Sequence, residues 1–431
     1  MEEPETIVIG AGAAGLIAAE RSASIGRRTL LLEKAPKAGV KILMSGGTRC
    51  NVTHATDAAG IVAAYGPAGR FLHSPLSYLG PDDVVALFAA EGVPTKIEST
   101  GKVFPRSDRA IDVRDALVER LHRSGASLKL KTAVRSLVRD GDRFEVQADV
   151  GRWTAPQVIV TVGGRSYPGC GTTGDGYPWL AELGHEIVPP VPSLVPLTLD
   201  APWLRELQGL TFDPVEVAVW DVDDPAARRP KRPLARCRSS LLITHVGLSG
   251  PAAMNVSREV ARRASHRTLL TCDWFPDRTV DNLLAELLER RADEPRKSLA
   301  AALARIVFAR FAEALVRHLG CDPERRLAEV PMEWFRRIAA GLKGLPLVVT
   351  GTLGFAKAEV TAGGVRLSEV DSRTMASRKV PGLYLAGEVL DLDGPIGGFN
   401  FQAAFATGWL AGYQGTPPET WREANAARAR R

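Results

Sequence analysis

A glycine-rich segment near the start of the chain has the residue types and spacing of a diphosphate-binding turn. Residues 10–15 read Gly-Ala-Gly-Ala-Ala-Gly, which matches GxGxxG, and these glycines allow a tight turn and a close approach of backbone to a pyrophosphate. The helix that follows directs its N–H groups and the positive end of its dipole at the same group. Glu33 lies eighteen residues after Gly15, where an acid accepts hydrogen bonds from an unphosphorylated ribose. The pattern predicts a dinucleotide site for FAD or NAD.

A second segment, Lys41–Thr53, combines small residues with side-chain hydrogen-bond donors. Its small residues permit a close approach of a ligand to the backbone, and Lys41, Arg49 and Asn51 supply donors. It is a candidate cofactor loop. The alternative is an ordinary surface loop with a solvated arginine, and composition alone leaves both open.

A third segment, Ala386–Asn400, joins a buried strand to a helix that a glycine pair opens. The backbone N–H groups at the beginning of such a helix are directed toward negative charge. A reduced flavin carries negative charge at N1 and at the C2 oxygen, so the arrangement suits a reduced flavin. The alternative is a capped helix preceded by a polar loop.

Four residues outside these segments' hydrogen-bond donors are candidates for chemistry: Cys50, Asp391, Asp393 and His245. Cys50 is a possible proton donor or redox thiol beside a cofactor, although most single cysteines are packing residues. The chain has no CxxC pair, so a disulfide reductase is disfavoured. Asp391 and Asp393 either bind substrate or flavin or shape a loop turn. A structural role is favoured for His245, and no metal site is predicted.

A short stretch of the chain is rich in basic residues and contains no acid. Its basic residues are Arg228, Arg229, Lys231, Arg232, Arg236 and Arg238. Such a stretch can follow an RNA phosphate backbone, but it has no interleaved aromatic residues for stacking. A solvated basic loop is the favoured alternative, and the arginines of the tail, Arg422, Arg428, Arg430 and Arg431, are expected to be disordered and solubilising.

The elements that position these motifs begin with a strand, helix and strand unit. Apolar runs at Thr6–Ile9 and Thr29–Leu32 flank an amphipathic helix, which predicts a doubly wound α/β opening. Runs at 127–130, 133–137 and 144–147 predict a small meander, and 156–162 predicts a further buried strand.

The later part of the chain has a different pattern of predicted elements. A proline cluster at 189–192 predicts a boundary, and the chain from there to about Asp273 is strand-like. A helical stretch from about Val280 to Leu345 follows, and a last long helix is expected from Asn400 to Tyr413.

Composition limits the class of protein. The 431 residues are 45% hydrophobic and 24% charged, which is typical of a folded globular protein with two or three domains. The net charge of +6 permits an acidic partner without requiring one. Five unpaired cysteines, no signal-peptide pattern and no apolar run of membrane-spanning length favour a cytoplasmic protein without a membrane association.

Taken together, the motifs resemble the BaiN/RdsA-type family of NAD(P)/FAD-dependent flavoproteins. The resemblance rests on the glycine segment and on four further blocks, found in the same order: SGGTRCNVT from Ser45, VGGRSYPGCGTTGDGY from Val162, THVGLSGP from Thr244, and GLYLAGEVLDLDGPIGGFNFQAA from Gly382. It implies an α/β fold in which a Rossmann-like FAD-binding domain is split by an inserted β-barrel-like domain and a helical cap. The expected parts are FAD-binding residues 1–190, a β-rich domain at 191–275, a cap at 276–345, a return of the β-rich domain at 346–360, FAD-binding residues 361–415 and a basic tail at 416–431.

The resemblance also implies which residues bind FAD. Those expected near the pyrophosphate and the adenosine are Gly10, Gly12, Ala13, Ala14, Gly15, Glu33, Lys34 and Val134. Those expected near the isoalloxazine are Lys41, Ser45, Gly46, Gly47, Arg49, Cys50 and Asn51. Those expected beside the dinucleotide, ribityl and ring are Gly163, Gly164, Gly387, Glu388, Gly397, Gly398, Phe399 and Asn400, with Cys50 and Asp393 as candidate catalytic groups.

The activity expected from this resemblance is hydride transfer from NADH or NADPH through FAD to an activated C=C bond, with the cap excluding water. Two substrate classes are open: uridine in ribosomal RNA, which becomes dihydrouridine, and a small steroid-like enone. The basic excess and the Arg228–Arg238 stretch slightly favour RNA. A protein that binds FAD structurally and assists RNA assembly without turnover is a further alternative.

Overall fold

The structure is a computed structural model, and it describes residues 3–222, 229–263, 268–415, 417 and 420–423. It divides into a first unit, Met1–Pro192 with Ala358–Arg431, and a second unit, Ser193–Lys357. Arg228, Arg428, Arg430 and Arg431 lie outside the described residues.

The first segment of the first unit alternates strands and helices in the way that builds a parallel sheet. Its elements are β1 (Thr6–Ile9), α1 (Ala13–Ser24), β2 (Thr29–Leu32), α2 (Val40–Met44), β3 (Thr53–His54), α3 (Ala58–Ala64), a 3₁₀ helix (Gly66–Leu72), α4 (His73–Tyr78), α5 (Pro81–Ala90), β4 (Thr95–Ile97), β5 (Lys102–Pro105), α6 (Ala110–Arg123), β6 (Ser127–Lys129), β7 (Val134–Asp140), β8 (Arg143–Ala148), β9 (Gly151–Ala155), β10 (Gln157–Val160), a 3₁₀ turn (Pro168–Cys170), α7 (Gly176–Glu182) and β11 (Ile187–Ser193).

The second unit begins with strands and continues with helices. Its elements are β12 (Leu197–Leu199), α8 (Pro202–Arg205), β13 (Thr211–Trp220), β14 (Ala235–Ile243), β15 (Gly247–Ser249), α9 (Pro251–Met254), α10 (Ser257–Ala261), β16 (Thr268–Asp273), α11 (Val280–Asp293), α12 (Leu299–Leu303), α13 (Ala309–His318), a 3₁₀ turn (Leu327–Glu329), α14 (Met332–Gly344) and β17 (Leu345–Thr352).

The chain then completes the first unit. The remaining elements are β18 (Val360–Val365), a 3₁₀ turn (Leu367–Glu369), β19 (Leu383–Leu385), a 3₁₀ turn (Gly387–Val389) and α15 (Phe399–Tyr413).

The centre of the first unit is a parallel sheet with the strand order β19-β10-β1-β2-β6. Thr6 of β1 pairs with Gln157 of β10 on one side and with Thr29 of β2 on the other. All four residues of β1 are buried, because helices cover both faces of such a sheet and its strands are apolar throughout. The predicted doubly wound opening is confirmed.

Helices α1 and α15 pack closely because small residues line their contact. A Cβ atom on Gly408 would stand 2.4 Å from the Ala14 carbonyl oxygen, and one on Gly412 would stand 2.6 Å from that of Ala18. The C-terminal helix therefore lies directly against the helix that follows the glycine segment.

One strand prediction in the first unit needs correction. Residues 127–129 form no part of the meander but join the parallel sheet beside β2, and the meander is completed by β9. The proline cluster lies inside β11, which pairs with β18 in a two-stranded sheet. A strand with a free edge tolerates prolines because their missing N–H groups are not needed there.

The second unit contains a closed barrel of β12-β15-β14-β13-β16-β17. Along β13, Val215, Val217 and Val219 are buried, which is the period-2 pattern of a strand with one face in a core. The part of this region predicted as strand-like also includes the short helices α8, α9 and α10, which that prediction missed. The expected fold class, a Rossmann-like α/β unit interrupted by a barrel and a helical region, is confirmed.

The start of the expected basic tail differs from the prediction of disorder. Trp421 is buried, and Arg422 forms an ion pair with Asp83. Burial of the indole and the ion pair hold this part of the tail to the first unit. Among the described residues, no helix combines the length and apolarity needed to cross a membrane.

Candidate cofactor site

The parallel sheet has a topological switch point beside the glycine segment. Connections leave β1 toward β2 on one side, whereas β10 and β19 lie on the other. The carboxyl ends of β1 and β10 meet at this switch point, since a Cβ atom on Gly10 would stand 2.8 Å from the Thr161 carbonyl oxygen. Ligands of open α/β sheets bind at this place.

The glycines of the fingerprint have two different environments. A Cβ atom on Gly15 would stand 1.8 Å from the Gly10 carbonyl oxygen, whereas one on Gly12 would have no atom within 4 Å. Gly15 is therefore required for helix–strand packing, and Gly12 leaves open space at the start of α1.

The start of α1 fits a diphosphate. No side chain caps it, and its first turn carries no acid. Within the described residues, the N–H groups of Gly12, Ala13 and Ala14 have no hydrogen-bond acceptor. Free N–H donors at a helix start beside open space can bind the pyrophosphate of FAD.

Glu33 is held in place at the end of β2. Its carboxylate accepts hydrogen bonds from Ala11 N and Ala35 N, both at 2.7 Å. Burial raises the pKa of Glu33, and these two hydrogen bonds oppose that rise. Each carboxylate oxygen keeps a lone pair that can accept a ribose hydroxyl.

Lys41 and Glu388 meet in a polar cluster. Lys41 Nζ lies 2.5 Å from Glu388 Oε2 and donates to Ser166 Oγ at 2.7 Å. Glu388 Oε1 accepts from Ser166 Oγ at 2.5 Å and from Thr361 N at 2.9 Å. Gly164 lies against this cluster, since its Cβ would stand 3.1 Å from Glu388 Oε1.

The cofactor loop and the glycine pair before α15 also meet. A Cβ atom on Gly398 would stand 2.3 Å from the Thr53 carbonyl oxygen and 2.7 Å from Asn51 Oδ1. His54 Nδ1 lies 2.9 Å from the Gly397 carbonyl oxygen, and its ring stacks on Phe399 at 4.6 Å. These contacts fix the backbone at the start of α15.

Tyr65 holds the same loop from the other side. Its hydroxyl donates to the Phe399 carbonyl oxygen at 2.9 Å, and Asn400 closes the loop through both backbone groups of Gly394. Burial raises the pKa of Tyr65, and the carboxylates of Asp393 and Glu388 raise it further.

The two candidate catalytic groups are both buried. Cys50 is fully buried, and burial raises the pKa of its thiol to about 12, although the Ser45 hydroxyl acts in the opposite direction. The thiol is neutral near pH 7, which favours the packing role. Asp393 is 8% exposed and acts electrostatically on Tyr65.

Three expected cofactor residues have partners in the protein. Lys34 forms an ion pair with Asp175. Arg49 lies 4.0 Å from the centre of the Phe104 ring and 2.6 Å from Glu98 Oε1. Val134 is buried at the start of β7. The structure does not bring these three side chains together. Gly46 lies beside Asn51, Gly387 beside Ala14 and Gly163 beside Thr172, whereas a Cβ atom on Gly47 would have no atom within 4 Å.

Several polar residues of the site were not singled out by the sequence. Ser166 and Thr361 hold Glu388, and Tyr65 holds α15. Tyr177 has a buried hydroxyl without a partner among the described residues, and burial raises its pKa. Ser166 and Tyr177 lie in the block from Val162 on which the family resemblance rests. In that block, the sequence predicted cofactor binding only for the glycines Gly163 and Gly164.

The basic stretch of the second unit is partly neutralised. Arg236 pairs with Glu216 at 3.4 Å, and Arg238 pairs with Asp277 at 2.5 Å. Arg229 donates to the Gly344 carbonyl oxygen at 3.3 Å. Lys231 and Arg232 are exposed, with no acidic partner in the part of the chain that the structure describes.

Comparison with known proteins shows the family of this chain. A model described as the HI0933-like protein Rossmann domain matches residues 4–414. The chain belongs to this HI0933-like, FAD-binding family.

Three relatives of the HI0933-like chain match it nearly end to end. It is 33% identical over 416 residues to the ribosomal RNA dihydrouridine synthase of Escherichia coli, covering 95% of this chain and 97% of that protein. It is 30% identical over 415 residues to the protein of the same name from Haemophilus influenzae, covering 94% and 96%. It is 32% identical over 426 residues to the 3-dehydro-bile acid delta(4,6)-reductase of Clostridium scindens, covering 94% and 97%.

These findings establish the class of activity. The HI0933-like chain is an FAD-dependent oxidoreductase. Its identities to the two kinds of relative are nearly equal, so they do not select a substrate.

Proposed function

We propose that this oxidoreductase reduces uridine in ribosomal RNA to dihydrouridine, with NADH or NADPH as the electron donor. The observation that carries the choice of substrate is the uneven distribution of charge. The second unit has 25 lysines and arginines against 20 aspartates and glutamates, a net charge of +5 within a chain of +6. Such an excess attracts a polyanion more strongly than it attracts a small enone.

The basic stretch supports this choice through its exposed members. Arg229, Lys231 and Arg232 are exposed, and lysine and arginine side chains that neutralise phosphates release counterions. Arg236 and Arg238 contribute less to the field, because each already has a carboxylate partner. A cytoplasmic setting, where ribosomal RNA is found, belongs to this proposal.

The first unit holds the cofactor in this proposal. When bound, FAD supplies the chemistry of hydride transfer between a nicotinamide and an activated C=C bond. Gly12, Ala13 and Ala14 bind its pyrophosphate through their N–H groups, and Glu33 binds the adenosine ribose. The Lys41–Glu388 cluster and the start of α15 surround the rest of the dinucleotide.

The reduction adds a hydride to one carbon of the uracil C=C bond and a proton to the other, and NAD(P)H becomes NAD(P)⁺. A neutral, buried Cys50 has a thiol with a pKa of about 12, which makes it a weak acid for this step. Asp393 is the candidate that remains for holding or moving a proton, because it lies in the loop that Tyr65 orders.

A second candidate function is reduction of a small steroid-like enone. The observation in its favour is the 32% identity to the bile acid reductase across 94% of this chain. Both candidates place the same reaction, reduction of an activated C=C bond, in the first unit.

The experiment supplies the FAD-loaded protein and NADH or NADPH with ribosomal RNA transcribed in vitro, which lacks modified uridines. Dihydrouridine is then measured by mass spectrometry of the digested RNA. The proposal predicts dihydrouridine only when nicotinamide and protein are both present, and a lower yield with the Gly12→Val variant when FAD is limiting. Reduction of a steroid Δ4,6-enone without any dihydrouridine would transfer the assignment to the second candidate.

A further inference from the structure

Exposed aromatic rings and arginines occur together on α8, α13 and the residue before α13 in the second unit. Phe308, next to the first residue of α13, is 48% exposed. At the other end of this helix, the exposed His318 ring stacks on Trp203 of α8, with centroids 4.6 Å apart and planes 19° apart. Ten residues of helix separate the two rings, a distance of about 15 Å.

The exposed rings pack against an aromatic cluster in which Trp274 and Phe311 are buried and Phe212 is half-buried. Phe308 packs edge-on against Phe212 at 5.1 Å, and Phe212 packs against Trp274 at 4.7 Å and Phe311 at 4.9 Å. Phe311 also lies 6.2 Å from Trp203. A ring that is already held in place loses little conformational freedom when a ligand stacks on it.

The charged residues of α8, α13 and the position after α8 are three arginines and two glutamates. Arg205 and Arg310 are exposed, and Arg310 donates to the Glu206 carbonyl oxygen, which holds α13 against α8. The acids here are Glu206 and Glu313, and Arg317 pairs with Glu313 at 2.5 Å. Arg205 and Arg310 have no carboxylate partner among the described residues, so Arg205 and the N–H groups of Arg310 that do not bind Glu206 can pair with phosphates.

His318 contributes a ring face to this surface rather than a charge. Partial burial of its ring lowers the pKa of His318, although the residue as a whole is exposed, so the imidazole is neutral near pH 7. Flat neutral rings flanked by arginines are the elements with which proteins bind single-stranded nucleic acid, because bases stack on rings and phosphates pair with guanidinium groups.

We propose that the α8–α13 surface, formed by Trp203, Arg205, Phe308, Arg310 and His318, docks a single-stranded segment of ribosomal RNA. This inference rests on the proposed function and names where its substrate is bound. A duplex is the weaker fit, since its bases are stacked on one another and cannot lie on protein rings.

The test compares the binding of transcribed ribosomal RNA by the FAD-loaded wild type and by variants, over a series of salt concentrations. Phe308→Ala and His318→Ala each remove one ring and should weaken binding roughly 5-fold to 100-fold. Arg310→Ala removes a phosphate contact and should reduce the slope of log affinity against log salt by about 0.7.

Two control variants separate stacking from general effects. Phe308→Trp keeps a ring and should bind within about twofold of the wild type. Met332→Ala truncates another exposed apolar residue of the same unit, 39% exposed, and should also leave binding unchanged. Thermal unfolding and flavin content confirm that each variant is folded.

The outcomes distinguish this inference from the proposed function. If the wild type binds the RNA and the Phe308, His318 and Arg310 variants bind equally well, the surface assignment is wrong and the proposed function stands. If the wild type shows no salt-dependent RNA binding, both are wrong. A duplex competitor that displaces the RNA as well as a single strand does would also overturn the surface assignment.

Discussion

Lys41 and Glu388 form an ion pair across the first unit, with Nζ 2.5 Å from Oε2, although 347 residues separate them in the sequence. The pair joins α2, which follows the glycine segment, to the turn after β19. Ser166 and Thr361 complete the hydrogen bonding of the carboxylate. Four separate segments therefore converge on one charged group beside the cofactor site.

Removal of either member of this pair should destabilise the first unit. The side chains are 27% and 19% exposed, so each single variant, Lys41→Met or Glu388→Gln, should lose about 1–3 kcal/mol of unfolding free energy. The double variant should lose less than the sum, with a coupling of about 0.5–3 kcal/mol. Urea unfolding of all four proteins measures the coupling, and losses that add within about 0.3 kcal/mol would show that the pair is not coupled.

Gly12 and Gly15 should respond differently to substitution. Gly12 has φ −78° and ψ −168°, which any residue can adopt, and its Cβ direction is open. Gly12→Val should therefore keep the thermal stability of the FAD-free protein but weaken FAD binding at least about tenfold, or 1.4 kcal/mol. Gly15→Ala should lower the stability of the FAD-free protein itself, because its Cβ meets backbone at 1.8 Å.

Flavin absorbance and unfolding temperature, measured with and without added FAD, distinguish these two effects. An unchanged FAD affinity in folded Gly12→Val would contradict the assignment of the pyrophosphate to the start of α1.

The Cys50 thiol should be unreactive in the folded protein. With a pKa of about 12 it is protonated throughout the neutral range, and the thiolate is the reactive form. We expect iodoacetamide at pH 8 to leave Cys50 unmodified until the protein unfolds, and Cys50→Ala to retain reductase activity. Peptide mass spectrometry after alkylation measures the first expectation. Rapid labelling of Cys50 with parallel loss of activity would restore its catalytic assignment.

His185 should make the stability of the first unit depend on pH. Its ring is buried between Glu369 and Ser377, at 2.9 Å from each. Burial lowers the pKa of His185, against the opposing effect of Glu369. His185 has an ordinary pKa of 6.5, so below pH 6.5 the unfolded chain binds a proton at this residue more readily than the folded chain does. The contribution of neutral, buried His185 to stability is therefore present above pH 6.5 and is lost as the pH falls.

Urea unfolding between pH 5 and pH 7 measures this dependence. The wild type should lose stability toward pH 5, and His185→Gln should show a smaller loss over the same range. If the unfolding free energy of the two proteins changed equally with pH, His185 would not resist protonation in the folded state.

Local patterns predicted the start of the fold well. The apolar runs of β1 and β2, the glycine turn and Glu33 lie within a short stretch of chain, and their periodicity and spacing specify a βαβ unit. The last helix was predicted from residue 400 and begins at Phe399, because a glycine pair marks its start.

Contacts between distant segments could not be predicted in the same way. Closure of the barrel pairs Leu197 with Thr352, and no local pattern encodes that partner. The ion pairs of Arg236 with Glu216 and of Arg238 with Asp277 likewise depend on strand register and loop position. The sequence alone therefore overstates the positive charge that this stretch presents in the folded unit.

The most direct test of the central claim is the visible absorbance of the FAD-loaded protein under anaerobic conditions. NADH or NADPH is added first, and transcribed ribosomal RNA follows. We predict that the nicotinamide removes the oxidised-flavin band and that the RNA restores it while dihydrouridine accumulates. A band that RNA leaves bleached and a steroid enone restores would contradict the RNA assignment, and a protein that retains no flavin would contradict the account as a whole.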